Sequence, residues 1–167
     1  MYIFLFVCVV GLLQQLHQTQ TLIVPISLVQ RANTEIDSIN TVLVSLGEKP
    51  NTDTAEAIVH ASKVTDINKY LITALMYTES KFKSFDNKGK ILTSPKGYKG
   101  VMQTRFASGE KVVDTLFGAV ELKKKLKSNN DDIFEALADY KGGRAKPEAR
   151  KQAKEVLVVY KRIINTK

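Results

Sequence analysis

The chain holds one cysteine and two histidines in 167 residues. Cys8 has no partner within the chain, so no disulfide framework can hold the fold together. It sits inside an apolar run, where packing is its expected role. A lipid-attachment cysteine would follow small residues, and here Phe6 and Val7 precede it. His17 and His60 lie far apart, so no metal centre and no cofactor is expected, and His60 reads as structural or solvent-facing. Charge is missing from the start of the chain: Arg31 is the first charged side chain, and the whole net charge of +8 lies from there onward. Repeats and low-complexity tracts are absent too. The length suits a single domain with a sizeable core.

The uncharged stretch Met1–Gln30 is a segment apart. Within it Tyr2 to Leu13, YIFLFVCVVGLL, is almost wholly apolar. These 12 residues are short for a membrane span, which needs about 20, and they fit the apolar region of an export signal better. No Lys or Arg precedes the run, and no small-residue cleavage site follows it. A second apolar run, Leu22–Val29, is interrupted by Pro25. The expected organisation is residues 1–30 as a signal peptide or a retained membrane anchor working through residues 2–29, then one domain over 31–167. A buried N-terminal helix is the bland alternative.

From there the spacing of apolar residues predicts helices. Asn33–Leu46 carries Ile36, Ile39, Leu43 and Leu46 on one face, with Asn33 or Thr34 as cap and Gly47 and Pro50 as terminators. Asp53 with Glu56 resembles a capping box and opens a short helix through Ser62. Asp66 is the expected cap of the helix that ends at Glu79. Asp86, Asn87, Lys88 and Gly89 are turn residues within a loop over Lys83–Thr93, and Lys90–Thr93 reads as a small strand. Ser108–Lys127 is helical with a break expected near Asp114. Its Leu116, Val120 and Leu126 face inward, and Lys123, Lys124, Lys125 and Lys127 form a solvated cationic end. Asn130 or Asp131 caps a helix through Ile133, Phe134, Leu137 and Tyr140, closed by Gly142 and Gly143. Pro147 suits the first turn of a last helix whose apolar face is Val156, Leu157, Tyr160, Ile163 and Ile164. The fold class is all-α, with room for one small β-hairpin.

The chemistry concentrates between Ile72 and Gln103. Ile67, Leu71, Ala74, Leu75 and Thr78 recur at spacings of three and four, and Glu79 falls on the stripe of Ile72 and Leu75. A carboxyl group on a core-facing stripe has its charged form disfavoured, so its pKa rises. That suits a general acid still protonated near neutral pH. The same pattern is also met at an ordinary, partly exposed helix end. Ser80 follows directly. Then come SPKGYKGVMQ, Ser94–Gln103, and ALADYKGG, Ala136–Gly143. In order and at this spacing, the three blocks resemble the catalytic domain of soluble lytic transglycosylases, enzymes of the lysozyme superfamily. The resemblance runs from about Asp66 to Gly143, and more weakly to Ile164.

That resemblance implies a lysozyme-like fold and a glycan-strand substrate, peptidoglycan. It implies Glu79 as the catalytic residue and a substrate-binding set of Ser80, Gly100, Met102, Gln103 and Tyr140. Met102 and Gln103 would line the sugar cleft beside Glu79, and Tyr140 would support Glu79 or the sugar from the opposite side. Taken alone, Gly97 and Gly100 read as ordinary turn glycines and Met102 as core. One departure stands out: the family has Asn after this Tyr, and here Lys141 takes its place. Lys is a cationic donor only, whereas Asn both donates and accepts. Asp139 is expected to pair with Lys141 or to face solvent.

Between Asp86 and Glu110 there is no carboxylate at all. A glycosidase of the two-carboxylate type needs a second Asp or Glu across the scissile bond. A single acid suits the route of the lytic transglycosylases, which cleave the MurNAc–GlcNAc β-1,4 bond and leave 1,6-anhydro-MurNAc. The alternative is a wall-binding or assembly protein, of a phage virion or a secretion or conjugation apparatus, that keeps this fold with little or no catalysis. Such virion or secretion components would then be partners. A nucleic-acid partner is not expected, because no aromatic-rich basic motif accompanies the positive charge. Peptidoglycan carries carboxylates, so a basic surface suits it equally. The expected location is the cell envelope, exported or anchored, or the virion.

Overall fold

The structure is a computed structural model in which residues 26–166 are described. It is helical throughout: α1 (Ile26–Ser45), α2 (Thr52–Thr65), α3 (Lys69–Ser80), α4 (Lys111–Ser128), α5 (Ile133–Tyr140) and α6 (Pro147–Asn165). Residues 26–32 belong to a unit separate from the one that begins at Asn33 and carries the cleft. The apolar run Tyr2–Leu13 lies outside the described residues. Among those described, no helix is long and apolar enough to cross a membrane.

The helix starts follow local hydrogen bonding. Asn51 caps α2, its side chain accepting from the Thr54 N–H at 2.8 Å. Asp53, expected to open that helix, lies within its first turn. Asn68 caps α3 by accepting from the Tyr70 N–H at 2.9 Å. Asp66, expected in that role, instead ends α2: its φ of 56° is left-handed and its N–H reaches the Ser62 carbonyl. A side-chain oxygen caps only if the backbone behind it has already left the helix. At Asp66 the backbone is still closing α2. Asn33 and Thr34 are likewise interior to α1 and cap nothing, because neither Pro nor Gly interrupts the chain between Pro25 and Gly47. Asp132 rather than Asn130 or Asp131 caps α5, through the Glu135 N–H at 3.0 Å, while those two residues form a left-handed turn at φ 53° and 60°.

α3 is the centre of the unit. From Tyr70 to Met76 every residue is buried, so the stripe read from spacing understates it: the helix is apolar all round, as a core helix must be. α2 and α6 pack on it, α4 packs on α2, and α5 bridges α4 and α6. Leu71, Ile72, Leu75 and Met76 are at most 2% exposed, each burial worth about 2 kcal/mol. That grip fixes the rotation of α3 and with it the direction of Glu79. On α6 the buried positions are Ala149, Ala153, Val156 and Ile163, with Tyr160 and Leu157 half-buried. Ile164, expected on that face, is 40% exposed, because the stripe steps by three and four and passes one residue short of it.

Between α3 and α4 the chain forms a long loop. Lys81 and Phe82, both left-handed at φ 53° and 62°, turn it out of α3. No strand forms among the described residues. The expected Lys90–Thr93 strand is reduced to isolated antiparallel bridges, Phe85 with Ile91 and Thr93 with Lys99, and a third joins Lys99 to Thr104. Asp86 is the turn former anticipated from its neighbours: its carboxylate accepts from the Lys88 and Lys90 N–H groups at 2.8 and 3.0 Å.

α4 starts at Lys111, later than the expected Ser108, because Gly109 is left-handed at φ 89°. No break occurs at Asp114; it lies in the first turn of a continuous helix and is 1% exposed. Further along, Gly118 lets the loop lie against the helix. A Cβ there would sit 2.5 Å from the Met102 Cβ. In an open helix, Gly to Ala gains about 1 kcal/mol. Here the sign reverses, and Gly118→Ala is expected to cost about 1–3 kcal/mol in urea denaturation through overpacking. A stabilised variant would show that the loop yields freely at Met102.

Candidate active site

Glu79 stands in the last turn of α3 and opens into a cleft with a free volume of about 250 Å³. One wall comes from the loop: Ser94, Pro95, Lys96, Tyr98 and Gln103. The other comes from Tyr140 and Lys141 at the end of α5, with Gln152 of α6 beside them. Among the described lining residues Glu79 is the sole carboxylate. Asp86 is in its turn and is not part of this lining.

The carboxyl of Glu79 is largely shielded from water, its side chain 13% exposed. Burial raises its pKa above the usual carboxylate range, and Lys141 pulls it partly back by charge and by a hydrogen bond; the net direction is up. The Lys141 ammonium sits 2.9 Å from Glu79 Oε1, and its side chain is only 7% exposed. The expectation that Asp139 would pair with Lys141 is therefore corrected. Asp139 pairs with Lys125 at 3.4 Å, while Lys141, two residues on, faces the cleft.

Tyr140 donates its hydroxyl to the Met102 carbonyl at 2.9 Å, joining α5 to the loop. Burial, then the charges of Glu79 and Glu121, push its pKa well above the ordinary phenol value, so it stays a neutral donor. Ser80 is 8% exposed and does not line the cleft. Its Oγ donates to the Val101 carbonyl at 2.7 Å, so it ties α3 to the loop from behind. Met102, expected to line the sugar cleft, is 1% exposed and packs its side chain over Gly118. It reaches the site through its backbone carbonyl alone. The reading of Met102 taken alone, as a core residue, is the one the structure follows; the cleft-lining role implied by the resemblance is not.

Gly100 and Gln103 shape the loop. Gly100 is left-handed at φ 72°, and a Cβ there would lie 2.7 Å from the Ala107 Cβ and 3.0 Å from Asp114 Oδ2, so only glycine fits. Gln103 is also left-handed, at φ 48°, held there by its Nε2 donating to the Gly100 carbonyl at 2.8 Å. The structure thus brings Glu79, Gln103 and Tyr140 to one cleft and sets Ser80, Gly100 and Met102 behind its wall. Sequence reading missed Tyr98, Lys96 and Gln152 as lining residues. Tyr98 lies inside the quoted block and carries the Arg105 guanidinium 4.6 Å from its ring centre; Gln152 comes from a distant helix and has no local signal.

No protein-family model matches the sequence, and no curated protein does. The fold does match a solved structure, an inactive mutant of the lytic transglycosylase Slt from Pseudomonas aeruginosa. The TM-score is 0.52 at 19% sequence identity; the match covers 65% of this chain and 24% of that one. The chain thus spans about a quarter of that protein's length. At this identity the likeness speaks for the fold: all-α and lysozyme-like.

Proposed function

We propose that this protein is a peptidoglycan lytic transglycosylase. The observation that carries the reading is the largely shielded Glu79 carboxyl opening into a cleft whose described lining holds no second carboxylate. The solved relative in fold, named a lytic transglycosylase, supports a peptidoglycan-related role. In this reading Glu79 donates its proton to the glycosidic oxygen as the bond to C1 breaks. The N-acetyl group of the substrate stabilises the oxocarbenium-like centre. Glu79, now a carboxylate, takes the proton from the C6 hydroxyl of the same sugar, and that oxygen closes on C1. The product is a 1,6-anhydro ring, and Glu79 ends protonated as it began. Gln103 and Tyr98 stand in the cleft where a sugar would lie.

Digestion of purified murein sacculi tests this directly. Mass analysis of the released muropeptides is expected to show 1,6-anhydro-muramic ends, lighter by one water than hydrolytic products. Reducing ends would mean a hydrolase with a water-activating base. Because the substrate lies outside the cytoplasmic membrane, Met1–Gln30 is proposed as the export or anchoring segment.

One observation favours a second reading. The 2.9 Å pairing of Lys141 with Glu79 favours the ionised acid, as would suit a wall-binding or assembly protein of a virion or secretion apparatus with weak catalysis. Sacculi that are bound and not cleaved would decide for it.

A further inference from the structure

We propose that Lys141 is a positioning residue for Glu79: its ammonium latches the carboxylate and has to let go before Glu79 can act as an acid. The inference rests on the transglycosylase reading above and deepens it.

The argument is one of mutual exclusion. Lys141 is 7% exposed and its ammonium meets Glu79 Oε1 at 2.9 Å. Among the described residues no other ion pair joins Lys141 to a carboxylate. If Glu79 takes up a proton while Lys141 stays in place, a largely buried ammonium loses its counter-charge, which is strongly unfavourable. Protonation of Glu79 and withdrawal of Lys141 are therefore one event. The proton comes from water through the cleft mouth. The ammonium keeps its own three protons and its charge. A neighbouring cavity of about 140 Å³, lined by Lys141 together with Lys96, Lys146 and Glu148, gives it room to leave.

The other groups facing Glu79 do not substitute for this latch. From the loop come Lys96, Tyr98 and the uncharged Gln103; from α6 comes Gln152, also uncharged. Tyr140 is committed to the Met102 carbonyl, and Glu121 on α4 acts on Tyr140. Burial alone raises the Glu79 pKa, and Lys141 is the influence that lowers it. The acid form of Glu79 is present below its pKa and lost above it. Removing Lys141 should therefore carry cleavage to higher pH.

The test compares the wild-type protein with Lys141→Asn, with Lys141→Gln as a second variant should the first fail to fold by circular dichroism. Two readouts are taken. The first is the carbon-13 titration of the Glu79 carboxyl, assigned with Glu79→Gln. The second is the pH profile of cleavage of soluble glycan strands. In the variant the titration midpoint is expected to move up. Cleavage on the alkaline side should rise by roughly tenfold per pH unit of that displacement, with the half-saturating glycan concentration little changed. An unmoved or lowered midpoint overturns the inference. A raised midpoint with cleavage lost at every pH also overturns it, because Lys141 would then act on the glycan itself. If neither protein cleaves at any pH, the transglycosylase reading fails, and the titration still decides whether Lys141 latches Glu79.

Discussion

Replacing Glu79 with Gln should abolish cleavage while leaving the protein folded. Gln occupies nearly the same volume, and its carbonyl oxygen can still accept from Lys141, which faces Glu79 Oε1 at 2.9 Å. The α3 core from Tyr70 to Met76 keeps its own side chains. What is lost is a group able first to give and then to take a proton. A general acid or base alone is worth about 10²–10⁴-fold. Glu79 serves both halves of the proposed reaction, so a loss of about 10⁴-fold is expected in muropeptide release. Circular dichroism should match the parent, and urea denaturation should register a loss, because the largely buried Lys141 ammonium is left without its counter-charge. Turnover retained at the parental rate would remove Glu79 from the mechanism.

Asp114→Ala is expected to be the most damaging substitution for the fold. The carboxylate of Asp114 is 1% exposed. Its Oδ1 accepts from the Ser108 N–H at 2.7 Å and the Ser108 hydroxyl at 2.8 Å, and its Oδ2 accepts from the Gly109 N–H at 3.2 Å. Truncation leaves these donors without the partner that holds them. The hydroxyl can turn to another acceptor, but the two backbone groups are fixed. At about 1–3 kcal/mol for each orphaned donor, the expected loss is about 3–4 kcal/mol. That is a large share of the stability of a domain this size. Urea denaturation measures it. Asp114→Asn keeps one carbonyl oxygen and should lose less. A loss under about 1 kcal/mol in Asp114→Ala would show that the loop holds itself without the carboxylate.

These two residues mark what could and could not be read from sequence. Glu79 was legible because helical spacing places it on the stripe of Ile72 and Leu75, a geometry that holds for any α-helix. The all-α class was legible for the same reason, with Gly47 and Pro147 marking an end and a start. Asp114 was misread as a helix break. Its role depends on Gly109 turning the loop back over the helix start, which no periodicity carries. The starts expected at Asp53, at Asp66 and at Asn130 or Asp131 belong to Asn51, Asn68 and Asp132, because several capping residues lie within three positions of each start. Lys141 stood out only as a departure from a pattern. That its ammonium meets Glu79 depends on α4 and α6 holding the end of α5 near Glu79, a contact between residues 62 positions apart that one-dimensional spacing cannot express.

The end of α5 carries a mechanical consequence. Tyr140 and Lys141 are neighbours in the chain, yet one is fastened to the Met102 carbonyl in the loop and the other to Glu79 on α3. Two adjacent residues of one wall thus fasten both to the loop wall and to the helix that carries Glu79. The loop and that helix cannot spread independently. Any opening wide enough to draw the loop away from α3 must break the direct Ser80–Val101 bond and also break one of these two fastenings or carry the eight-residue α5 along with it. Opening of the cleft is in this way coupled to a short helix held between α4 and α6 as well as to the Ser80–Val101 bond.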